Sequence, residues 1–190
     1  MILFINACVR KQSRTKRLAD HLLSCLGEDF EELRLDSLDF PKTDEAFLEK
    51  REKLIAEKQF DHEIFDLARQ FARADKIVIA APLWDLSFPA ALKQYFEQIN
   101  VVGIQFRYTE KGIPQKLCRA ESLYYVTTSG GPHIPTECGF GYVKALSAAF
   151  YGIEDVEYFE AKGLDILGAD TEQILLDCEK KITEALKKTK

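Results

Sequence analysis

The chain has 190 residues, of which 46% are hydrophobic, so it can bury the core of one domain spanning residues 1–190 and is not expected to be disordered. Its 31 acidic and 26 basic residues give a formal net charge of -5, which predicts no nucleic-acid partner. No apolar run approaches the ~20 residues of a membrane-spanning helix, so no membrane contact is expected.

Five cysteines are scattered along the chain, and none forms a CxxC pair. An odd number at wide spacing argues against a disulfide framework and against a zinc site, so no metal ligands are assigned. The start, "MILFINAC", lacks the basic beginning and long apolar region of a signal peptide. Reduced thiols and this strand-like start predict a cytoplasmic protein.

The first predicted element is a strand at residues 2–7, which is apolar on both faces, as expected of a strand buried between two helical layers. A helix follows at residues 16–26, where leucines recur every four residues, and Gly27 is placed to end it. Residues 30–35, "FEELRL", alternate in polarity and predict a half-exposed edge strand.

The highly charged stretch 43–74 carries apolar residues near helical spacing and predicts two helices separated near residues 59–61. A second buried strand, "KIVIAA", follows at residues 76–81. The next helix is predicted to start at Ser87 as its N-cap, with Pro89 tolerated in the first turn.

A further strand, "SLYYVTT" at residues 122–128, stops abruptly at "SGG". The remaining pattern predicts a helix at 141–152, a strand at 156–161 and a last helix at 170–188. Five strands that alternate with helices indicate an α/β fold with a parallel sheet covered on both faces.

Ligands bind such sheets beyond the carboxyl ends of the strands. Three loops of unusual composition follow predicted strands, at residues 8–15, 82–86 and 127–133. We therefore expect these three loops to contain the functional site.

The first loop contains neither GxGxxG nor GxxxxGK[ST], the two common phosphate-binding patterns. It offers the hydroxyl groups of Ser13 and Thr15, the charge of Arg14 and the free N–H groups of a helix start, which together suit a terminal phosphate. Ordinary helix capping by Ser13 is the alternative interpretation.

The third loop places Gly130 and Gly131 directly after a buried strand, where their backbone can approach a flat ligand closely. A simple tight turn explains two glycines equally well. His133 can donate a hydrogen bond to a ring carbonyl or to a developing negative charge, or it can merely be solvated.

The middle loop, "PLWDL", holds the only tryptophan of the chain, Trp84. Packing in the core is one explanation for that residue. If the neighbouring loops hold a phosphate and a heteroaromatic ring, however, Trp84 lies where it lines the ring. The three loops together predict a site for flavin mononucleotide (FMN).

Residues 81–112, "APLWDLSFPAALKQYFEQINVVGIQFRYTEKG", resemble one family: the flavodoxin-like NAD(P)H-dependent FMN reductases, specifically the bacterial FMN-dependent NADH azoreductases and quinone reductases. The resemblance spans nearly the whole chain and is weak between residues 36 and 75. Eight positions stand as the family has them, namely Lys93, Tyr95, Phe96, Phe106, Arg107, Tyr108, Thr109 and Gly112.

The resemblance implies a flavodoxin-like three-layer sandwich whose five strands lie in the order 2-1-3-4-5. It implies FMN as cofactor, NADH or NADPH as co-substrate, a small-molecule electron acceptor such as a quinone or azo compound, and ping-pong hydride transfer. It also implies a homodimer with active sites at the interface. We assign no catalytic acid or base, because a hydride acceptor needs none.

The same resemblance implies roles for three groups of residues. The phosphate is expected at Ser13, Arg14 and Thr15, and the flavin ring against Pro82, Leu83, Trp84, Asp85 and Leu86. The pyrimidine end of the ring is expected near Thr128, Ser129, Gly130, Gly131 and His133.

Five positions depart from the family pattern. Leu83 and Trp84 replace methionine and tyrosine, which is conservative in shape for a flavin wall. Ala7 replaces a serine and Ser129 replaces an arginine, while Asp85 stands where the family usually has asparagine. An ionised carboxylate cannot donate a hydrogen bond, and its charge disfavours an anionic reduced flavin. Asp85 therefore either lowers the flavin potential or points away from the ring.

Two other function classes remain open from the sequence. A flavodoxin-type electron carrier shares the fold, although a net charge of -5 is modest for that class. A relative of the fold that has lost its cofactor and acts as a binding or regulatory module is the second alternative.

Overall fold

The computed structural model describes residues 1–188 and contains a five-stranded parallel sheet beside a two-stranded hairpin. The strands are β1 Ile2–Asn6, β2 Phe30–Arg34, β3 Lys76–Ala80, β4 Phe106–Tyr108, β5 Pro114–Lys116, β6 Ser122–Thr128 and β7 Asp155–Ala161. The helices are α1 Arg14–Leu26, α2 Glu45–Ala56, α3 Asp66–Arg73, α4 Ala90–Ile99, α5 Phe140–Leu146 and α6 Thr171–Lys188.

The sheet order is β2-β1-β3-β6-β7, and every pairing within it is parallel. Counted over the five predicted strands, this is the expected order 2-1-3-4-5, so the predicted flavodoxin-like α/β fold is confirmed. β1 and β6 are buried along their whole length, whereas exposed and half-buried residues alternate along the edge strand β2.

Helices pack on both faces of the sheet. On one face, α1 and α6 contribute Leu18, Leu22 and Ile182 to a core shared with Phe4 of β1. The other face carries a second core that includes these aromatic side chains: Phe65, Phe71, Tyr95, Phe96 and Tyr151. Each such buried side chain stabilises the fold by roughly 1.5–3 kcal/mol relative to exposure, so the sheet is fixed from both sides.

Caps at both ends explain the boundaries of α1. The Ser13 hydroxyl accepts a hydrogen bond from the Lys16 N–H at 3.2 Å, and the helix ends at Gly27 with a φ of 66°. Glycine adopts this left-handed conformation without the Cβ penalty. Because α1 is the next element after β1 in the chain, its N-terminus lies at the carboxyl edge of the sheet.

The prediction that Ser87 caps α4 is wrong. The helix begins at Ala90, and Pro89 occupies the N-cap position with no side-chain cap. The Ser87 hydroxyl instead donates to the Cys138 carbonyl oxygen at 2.7 Å. Ser87 thus ties the loop after β3 to the segment that precedes α5.

The hairpin of β4 and β5 was not predicted from the sequence, which indicated five strands only. Each of its strands has three residues, too few to show a polarity period. The hairpin is anchored by Phe106, whose ring stacks on Phe150 with a centroid separation of 4.4 Å.

The predicted helix at 141–152 is divided in the structure. α5 continues into a π-helical turn at Ser147–Tyr151, which ends at Gly152 with a φ of 59°. The Ser147 hydroxyl donates to the Val143 carbonyl oxygen at 2.9 Å, and such back-bonding distorts helices. The hydrophobic period alone does not reveal this change of winding.

Candidate active site

A cleft of about 180 Å³ opens at the carboxyl edge of the sheet. It is lined by three loops and one further residue: residues 8–10 and 12–15 after β1, 82–84 after β3, 128–130 at the end of β6, and Asp165 after β7. Parts of all three loops singled out from the sequence therefore meet at one place.

The start of α1 forms one wall of the cleft. Ser13 has an extended backbone and caps the helix, and the cleft also contacts Arg14 and Thr15, the first two residues of α1. N–H groups of the first helical turn have no partner inside the helix, and the helix dipole favours negative charge here. This wall is therefore suited to an anion.

Thr15 and Thr128 form a buried hydroxyl pair between α1 and β6. Their oxygen atoms are 2.6 Å apart, and either hydroxyl can be the donor. The pair carries two hydroxyl protons and its mutual bond uses one, so the second proton is available to an acceptor in the cleft. Both residues line the cleft, and both were predicted as site residues.

A tight turn between β3 and α4 presents Trp84. The backbone groups of Trp84 and Ser87 exchange two hydrogen bonds of 2.8 Å, and the two residues between them have positive φ, Asp85 at 49° and Leu86 at 68°. Two successive positive φ angles define a type I′ turn, which non-glycine residues adopt at a cost. Trp84 remains 40% exposed, so it does not pack as a core residue.

The glycine loop after β6 is fixed by the neighbouring loop after β7. Ser129 N–H donates to Ala161, while Gly163 N–H and Asp165 N–H donate to the carbonyl groups of Gly131 and Gly130. A Cβ atom on Gly130 would collide with the Asp165 carboxylate, whereas one on Gly131 would meet nothing within 4 Å. Of the two glycines, Gly130 is therefore the one whose Cβ position is already occupied, by the Asp165 side chain.

Four of the predicted site residues lie outside the lining of the cleft: Asp85, Leu86, Gly131 and His133. Asp85 and Leu86 form the exposed tip of the Trp84 turn, and His133 is exposed beyond the glycine loop. Ser129 lines the cleft, but its hydroxyl donates to the Gly131 carbonyl oxygen at 2.8 Å.

Cys8 lines the cleft directly after β1 and is nearly inaccessible to solvent. Burial raises the pKa of its thiol to about 11, against an ordinary value near 9. Cys8 is therefore a neutral thiol at physiological pH and not a nucleophile. Within residues 1–188, no group of three or more His, Cys, Asp or Glu residues is arranged to hold a metal ion.

Five residues that line the cleft were not predicted from the sequence as site residues: Cys8, Val9, Arg10, Gln12 and Asp165. Arg10 and Gln12 lie inside the first predicted loop and lacked a distinguishing pattern. Asp165 follows the fifth strand of the sheet, and the rule that placed the other loops at the carboxyl edge applies to this loop too. That rule was the signal available for Asp165.

The family model described as "Flavodoxin-like fold" matches residues 1–186. The chain belongs to this flavodoxin-like family. It is 36% identical to an FMN-dependent NADH:quinone oxidoreductase 2 of Clostridium acetobutylicum, with 98% of each chain covered. It is 35% identical to an FMN-dependent NADH:quinone oxidoreductase of Coprothermobacter proteolyticus, over 93% of this chain and 92% of that one.

Solved structures agree with this flavodoxin-like assignment. An azoreductase from Bacillus anthracis superposes with a TM-score of 0.82 at 24% identity, covering 98% of both chains. An FMN-dependent NADH-azoreductase of the same species, in complex with FMN, gives a TM-score of 0.80 at 25% identity over 99% of this chain and 98% of that one. The family recognised from the motifs is thereby confirmed.

The residues present in this flavodoxin-like chain fit FMN. The start of α1 and the Thr15–Thr128 pair provide donors suited to a phosphate. Pro82, Leu83 and Trp84 provide a largely apolar wall for a flat ring, and Gly130 also lines the cleft. No helix of residues 1–188 is long and apolar enough to cross a bilayer.

Proposed function

We propose that this protein is an FMN-dependent NADH oxidoreductase that reduces quinones, azo compounds or similar small acceptors. The observation that carries the proposal is the convergence of three loops on one cleft, with anion donors at one end and Trp84 beside them. The relatives named as FMN-dependent NADH:quinone oxidoreductases support it, since this chain matches them over nearly its whole length.

FMN, when bound, supplies the hydride chemistry, and the protein supplies position and electrostatics. In this proposal Ser13, Arg14 and Thr15 hold the phosphate at the start of α1. Trp84 flanks the ring and excludes water from its side of the cleft. We keep the site residues of the middle and glycine loops in the roles that the resemblance implied, although Asp85, Leu86, Gly131 and His133 do not line the cleft.

The first test is the visible absorption spectrum of the protein, loaded with FMN and kept anaerobic. Addition of NADH is expected to bleach the flavin bands rapidly, and a quinone is expected to restore them. A flavodoxin-type electron carrier would stay oxidised after NADH. Failure to take up FMN at all would favour the cofactor-less binding module.

The phosphate end of the site is tested by a pair of variants at Thr15. Thr15→Ser keeps the hydroxyl that pairs with Thr128, whereas Thr15→Val removes it. A hydrogen bond to a charged group contributes about 1.5–3 kcal/mol, so Thr15→Val is expected to weaken FMN binding by roughly tenfold or more. Equal dissociation constants for both variants, measured by isothermal titration calorimetry, would contradict the assignment.

A homodimer with the active sites at its interface is part of the proposal. The cleft of about 180 Å³ is smaller than the ~300–1,000 Å³ of typical ligand sites, which suggests that a second copy supplies a missing wall. The exposed apolar rim comprises Val9 and Trp84, which line the cleft, and Leu86, Ile166 and Leu167, which lie within two residues of lining positions along the chain. Burial of this rim would stabilise association.

Sedimentation velocity measures this association. The wild type is expected to sediment as a dimer, and Leu167→Asp is expected to shift it toward monomer, because Leu167 is fully exposed on the rim. The control Leu176→Asp changes an exposed leucine of α6 instead and should remain dimeric. A monomeric wild type at micromolar concentration would contradict the proposal.

The proposed compartment is the cytoplasm. All five cysteines are free, and Cys138 is exposed. Exposed free thiols persist in reducing compartments, which supports this assignment. Thiol counts on freshly isolated protein, with five expected under denaturing conditions, would test it.

A further inference from the structure

Arg14 carries the only full positive charge among the three residues proposed to hold the phosphate. Its guanidinium group is already engaged in the structure. Nη1 donates to the Leu164 carbonyl oxygen at 3.1 Å, and Nη2 donates to Asp165 Oδ1 at 2.8 Å. Arg14 therefore reaches from the start of α1 to the loop after β7.

Asp165 is held beside the cleft by its own backbone. Its N–H donates to Gly130 at 3.0 Å, and the preceding Leu164 N–H donates to Ser129 at 3.2 Å. Gly130 has no Cβ atom, and a Cβ there would occupy the space of the Asp165 carboxylate. The position of the Asp165 carboxylate is thus set by its backbone hydrogen bonds to the glycine loop and by the space left at Gly130.

The same carboxylate lines the cleft together with Ser13 and Thr15. A carboxylate and a phosphate recognise a guanidinium group in the same way, through charge-assisted N–H···O bonds. A phosphate that enters the cleft would therefore not meet a free arginine, because the Arg14 guanidinium is already paired with the Asp165 carboxylate. It would also be repelled by that anion.

We propose that Asp165 is a specificity-determining residue that weakens the hold of the cleft on the phosphate of FMN and so reduces its preference for phosphorylated over unphosphorylated flavin. This inference rests on the proposed function. It concerns the phosphate end of the site, because Asp165 is paired with Arg14, although Asp165 also packs against Gly130, which is assigned to the pyrimidine end of the ring.

The variant Asp165→Asn separates charge from geometry. Asparagine has the same shape, and its carbonyl oxygen still accepts the bond from Arg14, but the negative charge is gone. Asp165→Ser is a second uncharged variant that keeps an acceptor. The matched control is Asp155→Asn, an identical change at an exposed residue that begins β7 at the opposite edge of the sheet.

The experiment is isothermal titration calorimetry of the cofactor-free protein with FMN and, separately, with riboflavin, which lacks the phosphate. Both Asp165 variants are expected to bind FMN roughly threefold to tenfold more tightly than the wild type, the modest range following from the 65% exposure of the Asp165 side chain. Their affinity for riboflavin should stay within about twofold of the wild type, because riboflavin has no phosphate for the carboxylate to repel. The affinities of Asp155→Asn should also stay within about twofold, because no charge near the phosphate has changed.

Salt provides a second readout. The gain in FMN affinity should shrink between low ionic strength and about 0.15 M salt, where the Debye length falls to ~8 Å. An unchanged or weakened FMN affinity in both Asp165 variants would overturn the inference and leave the proposed function intact. A parallel gain for riboflavin would also overturn it. A wild type that binds neither flavin would overturn both.

Discussion

Lys58 ends α2 in a conformation that suits glycine better than lysine. It lies two residues past the last helical residue with a φ of 55°, and its N–H donates to the Ile55 carbonyl oxygen. At the corresponding end of α1, the residue in this conformation is Gly27 with a φ of 66°. The left-handed region costs a residue with a Cβ atom roughly 1–2 kcal/mol.

Lys58→Gly is therefore expected to raise the free energy of unfolding, by about 0.5–1 kcal/mol once the greater chain entropy of glycine is counted. Urea unfolding measures the change. The matched control is Lys50→Gly, an exposed lysine within α2, which should lose about 1 kcal/mol. Destabilisation by both substitutions would contradict the assigned strain.

The sequence was least informative about which individual residues of the site contact each other. Thr15 and Thr128 were both predicted, but their pairing is a contact between residues 113 positions apart that no local pattern encodes. Arg14 was predicted as a phosphate ligand, while its partner Asp165 was missed because a lone aspartate in a loop carries no period. Such pairings depend on how the loops pack.

At the scale of elements, the length of a strand decided whether it could be predicted from the sequence. The five strands of the parallel sheet have five to seven residues and were all found. β1, β3 and β6 are buried and read as largely apolar runs, whereas the edge strand β2 was found from its alternating polarity. β4 and β5 have three residues each and were missed. The cap of α4 was misplaced because Ser87 bonds to Cys138, a partner distant in the chain.

The base of the β4–β5 hairpin depends on Gly103, which has a φ of 96°. A Cβ atom there would collide with the ring of Phe60, from the loop that follows α2. Gly103→Ala should therefore cost both conformational strain and overpacking, about 2–4 kcal/mol in all. Thermal unfolding monitored by circular dichroism measures the loss.

Gly112, at the tip of the same hairpin, is the control. Its φ is 73°, but a Cβ atom would meet nothing within 4 Å. Gly112→Ala should cost only the strain, about 1 kcal/mol. Equal losses for the two alanine variants would show that the contact with Phe60 contributes nothing.

At the scale of the whole molecule, both cores contain buried thiols. Burial raises the pKa of Cys8 and Cys178 to about 11 and that of Cys118 to about 12. The folded state thus holds these protons more tightly than the unfolded chain, whose thiols titrate near 9. The contribution of these neutral buried thiols to the free energy of unfolding is fully present below pH 9 and is lost as the pH rises through 11.

Cys178→Ser removes one of these groups from α6. Its free energy of unfolding should fall less steeply than that of the wild type above pH 9, by about 1 kcal/mol over the first pH unit. Ile182→Val, a non-titrating change in the same core, should lower stability without altering the slope. Identical slopes for wild type and Cys178→Ser would refute this linkage.

The global architecture followed from the sequence because alternating strands and helices leave few arrangements open. The three loops were predicted to lie at one edge of the sheet because each follows the carboxyl end of a parallel strand. The closing of those loops into a cleft of definite shape did not follow, since that shape depends on turns such as the one at Asp85 and Leu86, where non-glycine residues adopt positive φ.

Trp84 is the only tryptophan of the chain, and it stands 40% exposed at the cleft. Its indole emission therefore comes from a single known position and needs no added dye. A flavin placed beside it would accept its excitation energy and quench that emission. The protein thus contains an optical reporter of its own, through which filling and emptying of the cleft can be followed in real time.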